Sequence, residues 1–230
     1  MRHVAAVFEK QWKDTFKNKT VLIQFLLFPI MAIIMENVVQ IDDMPEHYFV
    51  KLFSTMYIGM APLTCMAGII SEEKEKNTLR VLLMSNVKPM EYLIGIGGYV
   101  WLLCMCGALV MAAAGGFTGK ALWSFLFVLA VGILTSLLIG AAIGTWSKNQ
   151  MMATSVTVPV MMIFAFLPML SMFNETISRV AKYTYSQQIN LLLEQLGHME
   201  VRTECVAVIL CNIVLAAVAF GWAYRKSGLA

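Results

Sequence analysis

The side chains best equipped for chemistry crowd one short stretch, Ser71-Glu72-Glu73-Lys74-Glu75-Lys76-Asn77-Thr78-Leu79-Arg80, followed by Leu82 and Leu83. Carboxylates and ammonium groups at this density form charge-assisted hydrogen bonds with a partner surface. The leucines recur beside them at helical spacing, and Ser85, Asn86 and Pro89 then break the helix. A charged head, a short amphipathic helix and a turn make a docking element. The same residues also suit a plain solvated linker.

Bond-making chemistry finds no comparable set. Gly115-Gly116-Phe117-Thr118-Gly119-Lys120-Ala121 resembles a phosphate loop only loosely: its first Gly is displaced and no Ser or Thr follows the Lys. It reads as a turn. Cys65, Cys104, Cys106, Cys205 and Cys211 lie in or at the edge of apolar runs, match no metal-ligand spacing and read as packing residues. His3, His47 and His198 are isolated. The chain is therefore expected to be no enzyme and to hold no metal.

The elements around the charged stretch are membrane spans. Hydrophobic residues make up 59% and charged residues 13% of the chain, against about 45–50% and about 25% in soluble domains. Free of Asp, Glu, Lys and Arg are Val21–Met35, Leu52–Ser71, Tyr92–Gly119, Ala121–Ser147, Asn149–Asn174 and Cys205–Tyr224. Crossing the hydrocarbon takes roughly 20 apolar residues, and the first run reaches across by continuing past Glu36 as Asn37–Ile41. These runs predict an all-α polytopic membrane protein of six transmembrane helices in one domain, residues 1–230.

Ahead of the spans, residues 1–19 repeat Val4, Phe8, Trp12 and Phe16 along one helical face with basic flanks. That pattern predicts an amphipathic helix lying in the membrane interface. No cleavable signal peptide is expected. With the N-terminus inside, the inner segments hold twelve Lys and Arg and the outer ones five. The bias makes both termini cytoplasmic. The net charge of +3 is small, and no nucleic-acid partner is expected.

Pro29, Pro62, Pro159 and Pro168 fall inside spans one, two and five, where proline frees a backbone carbonyl and bends the helix. Gly140 and Gly144 form a G-x-x-x-G pair, permitting close helix approach within the chain or between chains. The outer link 174–204 carries two apolar stripes. Ile177, Val180, Ala181 and Thr184 form one, and Ile189, Leu192, Leu193 and Leu196 the other. Two short amphipathic helices are expected there, dipping into or lying on the outer leaflet.

The segment 71–91 resembles the first intracellular loop of the ABC-2-type permeases, the membrane subunits of ABC exporters. Members typically show E-K-E-x-G-T-L-E-x-L-L-x-S-P. Here Glu73-Lys74-Glu75-Lys76-Asn77-Thr78-Leu79-Arg80-Val81-Leu82-Leu83-Met84-Ser85-Asn86 departs at Asn77 for Gly, Arg80 for Glu and Asn86 for Pro. Gly95 stands where a Gly-Lys often begins span three, with Ile96 replacing the Lys. The layout agrees over essentially all 230 residues. The resemblance implies that Glu72, Glu73, Lys74, Glu75, Thr78, Leu79 and Leu82 contact an ABC ATPase. It implies two such ATPase subunits per complex, binding the ATP and Mg that this chain does not, and a second permease copy or similar permease. It also implies a bacterial inner-membrane location and an export direction.

The cargo is less legible. Spans one, two and five combine prolines with Phe25, Phe28, Met31, Tyr57 and Phe164 and lack fixed charge. That suits an amphipathic or lipid-like cargo passing near membrane lipid, such as a drug, an antimicrobial peptide or a lipid, although the same residues suit helix packing equally well. The alternatives are an ABC exporter of sodium or another small ion and an ion-coupled secondary transporter. The latter usually keeps ionisable groups at membrane depth, and only Glu36 lies inside a span here.

Overall fold

The computed structural model describes residues 7–12, 19–39, 45–78, 89–196 and 203–226. Residues 7–12 are helical. The helices that follow are α1 (Lys19–Val38), α2 (Tyr48–Glu75), α3 (Pro89–Ala114), α4 (Gly119–Trp146), α5 (Gln150–Ser171), α6 (Glu175–Ala181), α7 (Tyr185–Glu194) and α8 (Thr203–Lys226). Among the described residues, α2, α4, α5, α8 and the Glu91–Ala114 part of α3 are long and apolar enough to cross a membrane. The apolar part of α1 found by the same measure, Phe25–Val38, is shorter.

Helix α2 is the hub, packed against α1, α3, α4, α5 and α7. Its 28 residues rise about 42 Å against a hydrocarbon thickness of about 30 Å, which leaves a charged last turn projecting beyond the apolar layer. Close approach is made possible by missing side chains. A Cβ at Gly140 would fall 2.4 Å from the Leu63 carbonyl oxygen, and one at Gly144 would fall 2.9 Å from that of Ala67. The G-x-x-x-G face of α4 therefore packs within the chain, on the backbone of α2. On another side of α2, a Cβ at Gly59 would meet the Ala165 backbone of α5 at 2.7 Å.

Pro62 lies inside α2 and removes the N–H that would bond the Ile58 carbonyl four residues earlier. The Ser136 hydroxyl of α4 donates to that carbonyl at 2.6 Å. Tyr185 Oη lies 2.7 Å from Ser136 Oγ and, with that hydroxyl hydrogen used on Ile58, is the donor of the pair. This chain of bonds ties α7 to α4 and to the proline turn of α2.

Helix α7 is sunk into the bundle. Tyr185, Ser186, Gln187, Gln188, Ile189, Asn190 and Leu193 are all buried. Its three amide side chains find partners inside, while the buried Ser186 hydroxyl has none among the described residues: Ser171 Oγ donates to Gln187 Oε1 at 2.9 Å, Gln188 Nε2 to Lys182 O at 2.6 Å, and Thr55 Oγ1 to Asn190 Oδ1 at 3.2 Å. The apolar stripe alone fits a surface helix; the paired amides let a polar helix enter the core.

Exposed aromatics gather at the two ends of the bundle: Trp12, Trp146 and Trp222 at one, Trp123, Phe173 and Tyr183 at the other. Such belts mark membrane–water interfaces. The molecule is a multi-pass helical membrane protein.

Candidate coupling site

The last turn of α2 emerges at the end that carries Trp12, Trp146 and Trp222, and each of its charged residues has a separate task. Lys74 Nζ donates to the carbonyls of Thr145 at 2.5 Å and Ser147 at 2.6 Å. Those carbonyls close the C-terminus of α4, where the helix leaves its acceptors unbonded and its dipole favours a cation. The neighbouring Glu75 accepts the Gln150 backbone N–H at 2.8 Å, at the N-terminus of α5, where an anion is favoured. Two consecutive residues thus clamp both sides of one interhelical turn. Asn149 completes it by accepting the Met152 N–H at 2.9 Å, as an N-cap should.

Glu73 points the other way and is 6% exposed. A buried carboxylate needs several donors, and this one has three. Lys10 Nζ donates at 2.5 Å and Gln11 Nε2 at 2.7 Å to Oε1, while the Tyr92 hydroxyl donates to Oε2. The N-terminal segment and the start of α3 are thereby joined to the end of α2. The apolar side of residues 7–12 follows: Val7 is buried, and the Phe8 and Trp12 rings stand edge-on to Tyr99 at 5.4 and 6.2 Å. Glu72 remains half-exposed and pairs with Lys76 at 2.5 Å, an i,i+4 bridge worth a few tenths of a kcal/mol, roughly.

Past the end of the helix at Glu75, Asn77 turns the chain with φ at 56°. Lys76 N–H bonds Glu72 O at 3.0 Å, and Asn77 N–H bonds Lys74 O at 3.1 Å. Thr78 Oγ1 donates to Glu73 O at 3.1 Å. This is a left-handed C-terminal cap closed by a threonine hydroxyl.

The sequence profile of the ABC-2 family transporter proteins matches residues 11–225. The chain belongs to the ABC-2 transporter family. It is the permease, the membrane subunit, of an ABC transporter. The family is a non-catalytic membrane subunit and implies an ABC ATPase as partner. No curated protein matches the sequence significantly.

Within the ABC-2 pattern, Asn77 replaces the usual Gly. The left-handed backbone explains the tolerance, because Asn enters that region more easily than other residues with a side chain. The sequence grouped Glu72, Glu73, Lys74, Glu75 and Thr78, with Leu79 and Leu82, as one set of partner contacts. The fold keeps them together but divides them: Glu72 and Glu75 are accessible, Glu73 is turned inward, and Lys74 lies against the α4–α5 turn. Leu79 and Leu82 lie outside the described residues. Lys10, Gln11, Tyr92, Thr145 and Gln150 complete the site and escaped sequence reasoning. They are distant in the chain, and only the amphipathic pattern of residues 1–19 hinted at the first two.

The aromatic set is distributed differently from its sequence grouping. Phe25, Phe28 and Tyr57 are buried in the core, with the Phe28 and Tyr57 rings 6.2 Å apart and the Tyr57 hydroxyl donating to Cys104 O at 3.3 Å. Phe164 stacks at a tilt on Tyr185 at 4.8 Å. Met31 is half-buried, as are Met56, Met60 and Thr64 at four-residue spacing on α2. Glu36 caps α2: its Oε2 accepts the Val50 N–H at 3.3 Å, and its Oε1 lies 3.4 Å from His47 Nδ1. Among the described residues, no three His, Cys, Asp or Glu side chains gather to hold a metal.

Proposed function

We propose that this permease exports an amphipathic or lipid-like cargo across a bacterial inner membrane, driven by ATP and Mg bound in two partner ATPase subunits. In this reading α1 is a sixth span, residues 1–19 lie along the inner interface, and both termini are cytoplasmic. A second permease, identical or similar, completes the transmembrane pathway. The observation that carries the reading is the clamped end of α2. One turn of helix is bonded to the N-terminal segment, to α3 and to the α4–α5 turn, and a push received there reaches four helices at once. Glu72, Lys76 and Thr78 form its accessible rim; the ATPase contacts of Leu79 and Leu82, which lie outside the described residues, belong to the same proposal.

The cargo route is drawn along spans one, two and five. Helices α1 and α5 both pack on α2, and the half-exposed stripe Met56, Met60 and Thr64 belongs to α2. Met31 joins it from α1 as an adaptable apolar contact, and the packed Phe25, Phe28, Tyr57 and Phe164 back the wall. Ion coupling is disfavoured because the one acidic group inside a predicted span, Glu36, is committed to the N-terminus of α2. The test is transport by the complete permease–ATPase complex in vesicles. Uptake of a fluorescent lipid or amphipathic dye that requires ATP, and that falls on Met60→Asp, supports the reading. ATP-driven sodium movement with no amphiphile movement contradicts it.

A further inference from the structure

A groove of about 570 Å³ opens where the end of α2 meets the start of α5, lined by Glu75, Gln150, Met151, Thr154, Ser155 and Val158. Glu75 is the one charged residue among them. Its Oε2 accepts the Gln150 backbone N–H, and among the described residues no Lys, Arg or His pairs with it. The two hydroxyls spend their hydrogens on their own helix: Thr154 Oγ1 donates to Gln150 O and Ser155 Oγ to Met152 O, each at 2.9 Å. Toward the groove they offer lone pairs only, and the Gln150 side-chain amide can turn its oxygen to the same task. The positive end of α5 is already served by Glu75 and by the Asn149 cap. The polar half of the groove is therefore negative and rich in acceptors, which suits a cation and repels an anion.

The other half is apolar. Met151 and Val158 line it, and the exposed side of α5 continues past them to Met162, since positions 151, 155, 158 and 162 share one helical face. Methionine adapts to varied apolar shapes. On α2 the spacing of Thr64, Gly68 and Glu75 also holds one face. That face is open at Gly68, where a Cβ would meet no atom within 4 Å. Glu75 stands about 16 Å along α2 from Thr64. The groove thus lies at the coupling-site end of the half-exposed stripe of Met56, Met60 and Thr64.

We propose that this groove is the inner mouth of the cargo route and selects amphiphiles that carry a positive charge, the ammonium head at Glu75 and the apolar body over Met151 and Val158. The inference rests on the amphipathic-cargo reading above and narrows it to a cationic class. Thr154 and Ser155 accept from the head or its bound water, and the face through Gly68 leads the cargo on to Thr64. Neutral amphiphiles gain the apolar contacts alone, and anionic ones meet Glu75 as a like charge.

The test uses the complete permease–ATPase complex in vesicles held at zero membrane potential. Two probes are compared: an alkyl dye ending in a trimethylammonium group, and the same dye ending in a neutral tert-butyl group of the same shape. The readout is the ratio of their ATP-dependent initial rates within each variant, so a loss of coupling that slows both alike does not move it. Wild type should favour the cation about fivefold, the size of a half-exposed ion pair. Glu75→Gln keeps an oxygen for the Gln150 N–H and removes the charge, and the ratio should fall to about one. Ser155→Lys, on the exposed face of α5 and outside the clamp, should lower it likewise. Glu72→Gln removes a carboxylate that does not line the groove and should leave the ratio as in wild type. Should Glu75→Gln fail to assemble, Ser155→Lys decides alone. ATP-driven movement of both dyes at equal rates, or a cation preference that survives Glu75→Gln and Ser155→Lys, overturns this inference and leaves the proposed function standing. ATP-driven movement of neither dye contradicts the proposed function and this inference with it.

Discussion

Lys74 Nζ lies 2.5 Å from the carbonyl oxygen of Thr145, 71 residues further along the chain. A cation at the end of α2 thus completes the C-terminus of α4, and Glu75 beside it completes the start of α5. Lys74→Met removes the donor to two carbonyls and keeps most of the side-chain bulk. The expected loss is about 1–2 kcal/mol, seen as a lower unfolding temperature of the detergent-solubilised permease, with Lys74→Arg close to wild type.

Glu73→Ala leaves Lys10 Nζ and the Tyr92 hydroxyl without their carboxylate. Hydrogen exchange of residues 7–12 is expected to speed up by about tenfold or more, because their polar anchor is gone, while exchange within 54–66 stays as in wild type. Unchanged protection of 7–12 would mean that Phe8 and Trp12 on Tyr99 hold the segment unaided.

Ser136 and Pro62 form a testable pair. Ser136→Ala leaves the Ile58 carbonyl without a donor, at a cost of about 1 kcal/mol. Pro62→Ala restores an N–H in α2 that can bond the same carbonyl, and the cost of Ser136→Ala should then shrink by more than half. Equal costs in the two backgrounds would separate the serine from the proline.

The apolar runs made the long helices legible, since length and absence of charge decide what can cross hydrocarbon. The charged end of α2 was also legible as one dense cluster, from Glu72 to Lys76. What each of those charges does was not, because Thr145, Gln150, Lys10 and Tyr92 come close only after the helices pack. Helix α7 shows the limit from the other side. Gln187, Gln188 and Asn190 suggest a surface, yet Ser171, Thr55 and the Lys182 carbonyl satisfy them inside. The G-x-x-x-G pair announced a close contact without naming its partner, which proved to be Leu63 and Ala67 of the same chain.

Glycines on α4 and α2 should respond oppositely to a methyl group. Gly140→Ala drives a Cβ into the Leu63 carbonyl and forces the backbones apart, with an expected loss of about 1–3 kcal/mol. Gly68→Ala enters open space and should be neutral or stabilising by up to about 1 kcal/mol through helix propensity. Thermal unfolding of the two variants side by side reads the difference.

The central claim is that the rim of the clamped α2 terminus receives the ATPase. Lys76 and Lys120 are both exposed and lie at opposite ends of the bundle. A photoreactive probe on Lys76→Cys, in the complete permease–ATPase complex, should crosslink to the ATPase, and the same probe on Lys120→Cys should not. An assembled, ATP-hydrolysing complex in which position 76 never crosslinks to the ATPase, or position 120 does, would contradict the account.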